Sequence, residues 1–263
     1  MEIKAIICDW AGTTIDFGCM APVMVFVEVF KQYGIEITLD EARTPMGLAK
    51  RDHIKALMEM PRIKELWKEV HNHNPEQKET DLLYSKLEPL LAKVVRNHSD
   101  IIPGTLELQE FCRTNNIKFG TTTGYVQSMM HSILPLANTA GFNPDSVVAS
   151  DDVPEGRPAP YMIYENMKRM QVYPAGKIVK IGDTVADIKE GINAGAWTIG
   201  LTLSGNETGL PLHELKKISE KERNVYRENA TKRLKDAGAH YICDGIWEVI
   251  PILETISYNI KKL

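Results

Sequence analysis

The sequence has no long basic run, no long apolar run and no closely spaced pair of cysteines. Its formal net charge is −4, and nucleic acids are bound by clustered lysine and arginine, so we expect no nucleic-acid partner. No apolar stretch reaches the roughly 20 residues that cross a bilayer, and the chain starts with a strand rather than a signal peptide, so we expect no membrane partner. Four dispersed cysteines predict reduced thiols in a cytoplasmic protein and no zinc site: Cys8, Cys19, Cys112 and Cys243.

One further absence lies in the stretch Asp9-Trp10-Ala11-Gly12-Thr13, which follows an apolar run. Many phosphatases that this stretch resembles carry Asp-x-Asp-Gly-Thr, and their second Asp protonates the leaving group. Ala11 stands in place of that acid. Either the chain is inactive, or its leaving group does not need that proton.

The 263 residues, 43% of them hydrophobic, allow one large domain or a core with a smaller insertion. Residues 3–8 read as a buried strand, and the segment that follows has the patterns and caps of helices only. From residue 103 onward helices alternate with short apolar strands, which predicts a Rossmann-like parallel sheet with helices on both faces. We therefore expect an α/β core made of residues 1–19 and 99–263, and an inserted helical cap made of residues 20–98.

Four polar features follow predicted strands or precede predicted helices, in a fixed order. They are Asp9, Thr122-Thr123-Gly124, Gly156-Arg157-Pro158 and Gly182-Asp183-Thr184-Val185-Ala186-Asp187. Ligands bind at the carboxyl ends of the strands in open α/β sheets. Together the four features resemble the signature motifs of the haloacid dehalogenase superfamily of phosphoryl-transfer enzymes.

Charge suggests the role of each feature. A doubly negative phosphoryl group repels a carboxylate nucleophile, and Mg²⁺ bound by Asp9 and Asp183 would neutralise both partners. The main-chain carbonyl of Ala11 can still contribute to such a site. Asp187 could contact the metal through water, orient a neighbouring group, or simply be an acid favoured at a helix N-terminus.

The phosphoryl oxygens would be held by the hydroxyl of Thr123, the N–H groups near Gly124 and the side chain of Arg157. The superfamily more often has lysine at the position of Arg157, and arginine offers a planar fork of donors instead.

The missing acid suggests that carbon, rather than oxygen, leaves phosphorus. A carbanion needs an electron sink, and an amine condensed with a neighbouring aldehyde supplies one as an iminium ion. Lys50 is the candidate, because a helix start, Arg51 and nearby apolar side chains would all lower its pKa toward neutrality. His53 shares its helical face and is a candidate for moving protons, or alternatively a structural histidine.

With these residues the chain resembles the phosphonoacetaldehyde hydrolase family, also called phosphonatases. The resemblance implies a homodimer with Mg²⁺ that hydrolyses a small phosphonate, phosphonoacetaldehyde, to acetaldehyde and phosphate. It implies Asp9 as the nucleophile and Lys50 as the Schiff-base residue. The implied metal ligands are Asp9, the Ala11 carbonyl and Asp183, and the implied pocket residues are Cys19, Met46, His53 and Tyr125.

Two other functions stay open on the sequence alone. A capped phosphatase or phosphomutase would need another group in place of the acid missing at Ala11. A non-catalytic protein that binds a phosphorylated ligand would have lost turnover together with that acid.

Overall fold

The computed structural model describes residues 1–262 and contains one parallel sheet. The six strands lie in the order β3-β2-β1-β4-β5-β6, and every neighbouring pair is parallel. This confirms the Rossmann-like fold expected from the alternating pattern. The strands are β1 (Ala5–Cys8), β2 (Lys118–Thr122), β3 (Ser146–Val148), β4 (Ile178–Gly182), β5 (Trp197–Leu201) and β6 (Tyr241–Cys243).

Helices cover both faces of this sheet. Alternate residues of β1 point to opposite faces, so Ile6 packs into one apolar cluster and Ile7 into another. The strand is continuously apolar because both of its faces are buried. The core helices are α6 (Thr105–Thr114), α7 (Gln127–Thr139), α8 (Tyr161–Met170), α9 (Val185–Ala194), α10 (Leu212–Leu215), α11 (Glu220–Asp236) and α12 (Val249–Lys262).

The inserted segment between β1 and α6 is helical, as predicted, and forms the cap. Thr38 begins its second helix with a capping box, and Pro61 occupies the first turn of the fourth, where no N–H is needed. We propose that the domain boundaries fall at residues 19/20 and 98/99. The cap helices are α1 (Met20–Gln32), α2 (Leu39–Arg43), α3 (Lys50–Glu59), α4 (Pro61–His71) and α5 (Gln77–Val94), and a 3₁₀ turn follows over Val95–His98.

The helical parts of the chain include one internal proline and one long loop. Pro89 does not divide α5, which continues through it. The segment after β5 is mostly helical, in α10 and α11, but it begins with a loop over residues 202–211 that contains no helix. This loop instead bonds to the strand ends: the Ser204 hydroxyl donates to the carbonyl of Gly12 at 2.8 Å, and the Asn206 N–H donates to Asp183 at 2.7 Å.

Within residues 1–262, no helix has both the length and the apolar character needed to cross a bilayer.

Candidate active site

The sheet order brings the predicted acid and hydroxyl residues to one edge. β1 lies between β2 and β4, and Cys8 is in register with Thr121 on one side and Ile181 on the other. Asp9 and Asp183 lie just past the carboxyl ends of β1 and β4, so the chain delivers both to the same place. Neighbouring strands are about 4.8 Å apart, which is close enough for two carboxylates to share one cation.

Three buried carboxylates form a candidate metal centre. Oxygen atoms of Asp9, Asp183 and Asp187 lie within 4.8 Å of one another. The Thr13 hydroxyl donates to Asp183 Oδ1 at 2.9 Å, and the main-chain N–H of Asn206 donates to Asp183 Oδ2 at 2.7 Å. These two donors fix the orientation of Asp183 toward the other acids.

The three acids are not equivalent in charge. Burial and the neighbouring Asp9 raise the pKa of Asp183 well above its usual range. Burial also raises the pKa of Asp9, although Arg157 opposes that effect. Burial acts in the same direction on Asp187, but Arg157 and Lys180 outweigh it and hold the pKa of Asp187 below its usual value. Repulsion is therefore concentrated on the pair Asp9 and Asp183.

This charge distribution fits a divalent cation. Four buried carboxylates face two buried cations in the connected cluster of Asp9, Asp183, Asp187, Glu190, Arg157 and Lys180. With all four carboxylates ionised, two negative charges are left over, which one Mg²⁺ would offset, and carboxylate oxygens are the ligands that Mg²⁺ prefers.

Arg157 reaches this cluster from the loop before α8. Its Nη2 lies 2.7 Å from Asp9 Oδ1, and its Nη1 lies 3.1 Å from Asp187 Oδ1. The guanidinium is buried, and the acids around it raise its pKa despite burial. A fixed positive charge therefore stands beside Asp9, where the oxygens of a phosphoryl group would need one.

Lys50, the first residue of α3, is also buried, with 4% of its surface exposed. Its Nζ lies 5.1 Å from the ring centre of Tyr125 and 5.9 Å from that of Phe26. Burial lowers the pKa of Lys50, and Cys19 and Asp9 only partly oppose this. The amine therefore has a larger neutral fraction than an exposed lysine has at the same pH.

His53 lies one turn after Lys50 on the same helix. Its ring stacks on Phe26, with 3.8 Å between ring centres, and its Nε2 lies 2.9 Å from the Ala42 carbonyl oxygen. A carbonyl only accepts, so Nε2 carries the proton and Nδ1 is the acceptor. Nδ1 has no hydrogen-bond partner within residues 1–262. Burial, with Lys50 nearby, lowers the pKa of His53 well below its usual value and keeps the ring neutral.

A single small cavity brings the cap and core residues together. Its volume is about 20 Å³, room for about one water molecule. Of the residues predicted to bind substrate, His53 is the exception that does not line this cavity, and Asp183 and Asp187 also lie outside it. The lining residues are Asp9, Ala11, Cys19, Pro22, Met46, Gly47, Lys50, Thr123, Gly124, Tyr125, Arg157 and Thr184.

Two glycines allow the cap and the core to approach closely beside this cavity. Gly47 of the cap has φ +91°, and a Cβ there would lie 2.3 Å from Thr184 Oγ1 of the core. A Cβ on Gly124 of the core would lie 2.7 Å from the carbonyl oxygen of Leu48 in the cap. Neither position can carry a side chain in this closed arrangement.

Two buried charged residues beneath the site, Lys180 and Glu190, are not in the sequence prediction, and Thr122 was predicted only as part of a motif. Lys180 of β4 and Glu190 of α9 both contact Arg157 or its partners, and the Thr122 hydroxyl at the end of β2 joins them. The sequence contained a feature that could have indicated each charged residue. A lysine inside an apolar strand is unusual, and Glu190 follows Asp187 by three residues on one helical face.

Comparison with known proteins gives a consistent result. A profile described as haloacid dehalogenase-like hydrolase matches residues 3–195. Two curated relatives are both named phosphonoacetaldehyde hydrolase. The one from Paraburkholderia phytofirmans is 42% identical, covering 99% of this chain and 98% of its own length. The one from Syntrophobacter fumaroxidans is 45% identical, covering 97% of this chain and 92% of its own length.

A solved structure is similar over the whole chain. The crystal structure of a phosphonoacetaldehyde hydrolase-like protein from Oleispira antarctica superimposes with a TM-score of 0.97 at 37% sequence identity, covering 100% of this chain and 95% of that one.

Proposed function

The chain belongs to the phosphonoacetaldehyde hydrolase family of haloacid dehalogenase-like hydrolases, and from this premise we propose that it hydrolyses phosphonoacetaldehyde to acetaldehyde and phosphate. The observation that carries this proposal is that Lys50 and Asp9 line the same cavity, with Ala11 in place of an acid beside them. A phosphate ester would need that acid, whereas a C–P bond needs an amine.

Lys50 would begin the reaction by condensing with the substrate aldehyde. The neutral amine adds to the carbonyl carbon, water leaves, and the imine takes up one proton from solvent to become an iminium ion. The aromatic surroundings of the amine and its lowered pKa support this role. The iminium nitrogen can then accept the electron pair of the C–P bond.

Asp9 would attack phosphorus in line while that bond breaks. The carbon fragment departs as an enamine on Lys50, takes up a proton to give an imine, and is hydrolysed to acetaldehyde. The phosphoryl group stays on Asp9 as an acyl phosphate, which water cleaves. Arg157 would hold the phosphoryl oxygens and offset their charge, because its guanidinium already lies 2.7 Å from Asp9.

Mg²⁺ would be held by Asp9, the Ala11 carbonyl and Asp183, with Asp187 in support. When bound, it supplies positive charge that lets a carboxylate approach a phosphoryl dianion. The concentration of repulsion on Asp9 and Asp183 supports this assignment.

His53 would move protons between water and the nitrogen of Lys50 through its free Nδ1. The unpartnered acceptor Nδ1 and the position one helical turn from Lys50 support the role.

The cavity between cap and core would hold the substrate. Cys19, Met46, Thr123, Gly124 and Tyr125 would form the substrate pocket, and their common cavity supports this. A cavity of about 20 Å³ is too small for the substrate, so the cap would open for entry and release. We also propose that the protein is a homodimer and that it is cytoplasmic. Four free, buried cysteines support the cytoplasmic location.

Borohydride trapping tests the proposal. With phosphonoacetaldehyde, borohydride should reduce the imine and leave a stable adduct on Lys50, found by peptide mass spectrometry. Lys50→Arg should abolish both the adduct and turnover. Lys55→Arg is the matched control, because Lys55 lies on the same helix but is exposed, and it should behave as wild type.

The outcome separates the alternatives. If no adduct forms but phosphate esters are hydrolysed, the chain is a capped phosphatase or phosphomutase. If Asp9→Asn changes neither ligand binding nor activity, both enzymatic proposals fail.

A further inference from the structure

Lys180 is a fully buried lysine in the middle of β4, at 0% exposure. Its Nζ donates to Thr122 Oγ1 at 2.7 Å and lies 2.9 Å from Asp187 Oδ1 and 3.1 Å from Glu190 Oε2. The acids around it raise its pKa despite burial. The lysine is therefore a fixed positive charge beneath the sheet edge.

Arg157 is held from behind by the same group of residues. Its Nε donates to Glu190 Oε2 at 3.0 Å, and its Nη2 donates to Thr122 Oγ1 at 2.7 Å. These bonds hold the guanidinium at two of its three nitrogen atoms. They fix the plane that presents Nη1 and Nη2 to the site.

The Thr122 hydroxyl joins the two cations and the acid. It accepts from Lys180 and from Arg157, and it donates to Glu190 Oε2 at 3.2 Å. A hydroxyl has one donor and two acceptor positions, so all of its hydrogen-bonding capacity is used here. Neither Thr122 nor Lys180 nor Glu190 lines the substrate cavity.

We propose that Thr122, Lys180 and Glu190 are positioning residues that set the phosphoryl affinity of the site through Arg157, without touching substrate. Thr122 and Glu190 fix the guanidinium plane. Lys180 shares the negative charge of Asp187 and Glu190, so that Arg157 keeps charge available for an incoming phosphoryl group. The inference rests on the proposed function only in assigning phosphoryl binding to Arg157.

General energetics favour a functional reason for this cluster. A buried ionic network often stabilises a fold no better than apolar residues of similar volume. Fixing a bidentate donor in advance, by contrast, lowers the cost of binding a phosphoryl group.

Thr122→Val and Thr122→Ser test the proposal as a pair, because valine keeps the shape and serine keeps the hydroxyl. The probe is inorganic phosphate, titrated calorimetrically with Mg²⁺ present. We expect Thr122→Val and Glu190→Gln to weaken phosphate binding about tenfold, which corresponds to about 1.4 kcal/mol. KM should rise in step, and Thr122→Ser should stay within about twofold of wild type.

Thr121→Val is the matched control, because the neighbouring hydroxyl on the same strand is buried but donates to the Ser146 carbonyl at 3.3 Å. It should leave phosphate affinity unchanged. Borohydride trapping of acetaldehyde on Lys50 serves as a second readout, and it should stay at the wild-type level in all variants because the cap site is intact.

Phosphate affinity at the wild-type level in Glu190→Gln would overturn the proposal, as would equal losses in Thr121→Val and Thr122→Val. A parallel loss of trapping and binding would show a merely structural role and overturn it too. If Thr122→Val does not fold, Glu190→Gln decides alone. If wild type binds phosphate but never traps an aldehyde, the proposed function fails while the positioning role is still tested.

Discussion

Two buried lysines, one in the cap and one in the core, differ in the sign of their pKa shift. Lys50 and Lys180 are 4% and 0% exposed. Burial lowers the pKa of Lys50, which faces aromatic rings, whereas the carboxylates around Lys180 reverse the effect and raise its pKa. Burial alone does not determine the charge of a lysine; the neighbouring groups do.

The same contrast divides the chemistry of the two regions. The cap offers an amine that can lose its proton and react with a carbonyl carbon. The core offers charges that stay fixed, in Arg157 and Lys180, around acids that would hold a metal. A substrate with an aldehyde at one end and a phosphonate at the other matches this division.

Asp9→Asn should abolish the chemistry of the core while leaving imine formation in the cap intact. An amide in place of the nucleophile should lower kcat by at least about 10⁴-fold. Borohydride trapping of acetaldehyde on Lys50 should survive, because imine formation needs only the cap amine. Steady-state phosphate release and adduct yield measure the two effects. Loss of both in a folded protein would mean that the regions do not act separately.

Replacing each lysine by methionine should change stability in opposite directions. Lys180→Met leaves buried acids unpaired and should lower the free energy of unfolding by about 3–5 kcal/mol. Lys50→Met removes a poorly solvated amine and should raise it by about 1 kcal/mol, or roughly 3 °C in Tm. Urea denaturation at pH 7 measures both. Lys177→Met is the control, because its surface ion pair with Glu2 should contribute less than about 1 kcal/mol.

The pH dependence of these changes has a defined sign. The folded pKa of Lys50 lies below its ordinary value of 10.5, so between the two values the unfolded chain binds more protons and stability rises with pH. The gain from Lys50→Met should therefore shrink as pH approaches 10.5. For Lys180 the folded pKa is raised, so its contribution is present below the unfolded value and lost as pH rises through the folded one. Equal pH slopes for the two variants would contradict the comparison.

Mg²⁺ should stabilise the core without changing the cap. Ligand at about 100 times its Kd adds about 2.7 kcal/mol to the free energy of unfolding, and relief of the repulsion between Asp9 and Asp183 is the physical source. Thermal denaturation with Mg²⁺ and with EDTA measures this difference. Asp183→Asn should abolish it, and a stabilisation that persists in that variant would place the metal elsewhere.

Ala11→Asp should make the cap lysine resemble the core lysine. The new carboxylate would enter the cavity that Lys50 lines, favour the ammonium form and raise the pKa of Lys50. Trapping at pH 7 should fall about tenfold, the equivalent of one pKa unit. Ala11→Ser adds a polar group without charge and should have little effect. If Ala11→Asp traps as well as wild type, the low charge around the amine is not what activates it.

Much of the fold was predictable because the hydrophobic pattern decides it. The predicted alternation of helices and short apolar strands after residue 103 is observed from α6 through β5. The loop over residues 202–211 was not predictable. Its conformation depends on bonds to Gly12 and Asp183, which lie far away in the sequence.

Some residues of the candidate site could likewise be predicted from the sequence, and others could not. Asp9 and Asp183 were predictable because they stand in recognisable motifs just after strands, and Arg157 because it stands in a motif just before a helix. Thr122, Lys180 and Glu190 act through one another, and their partners come from different elements. Such a network has no local signature, apart from a charged residue placed where the pattern expects an apolar one.

Gly47 and Gly124, at the contact between cap and core, limit which caps and cores of related enzymes can be combined in one chain. Each glycine makes room for an atom contributed by the opposite half of the molecule. A chimaera that joined the cap of one relative to the core of another would therefore close only if glycine were present at both positions. The cap and the core must therefore change together at this contact, although they are separate stretches of chain.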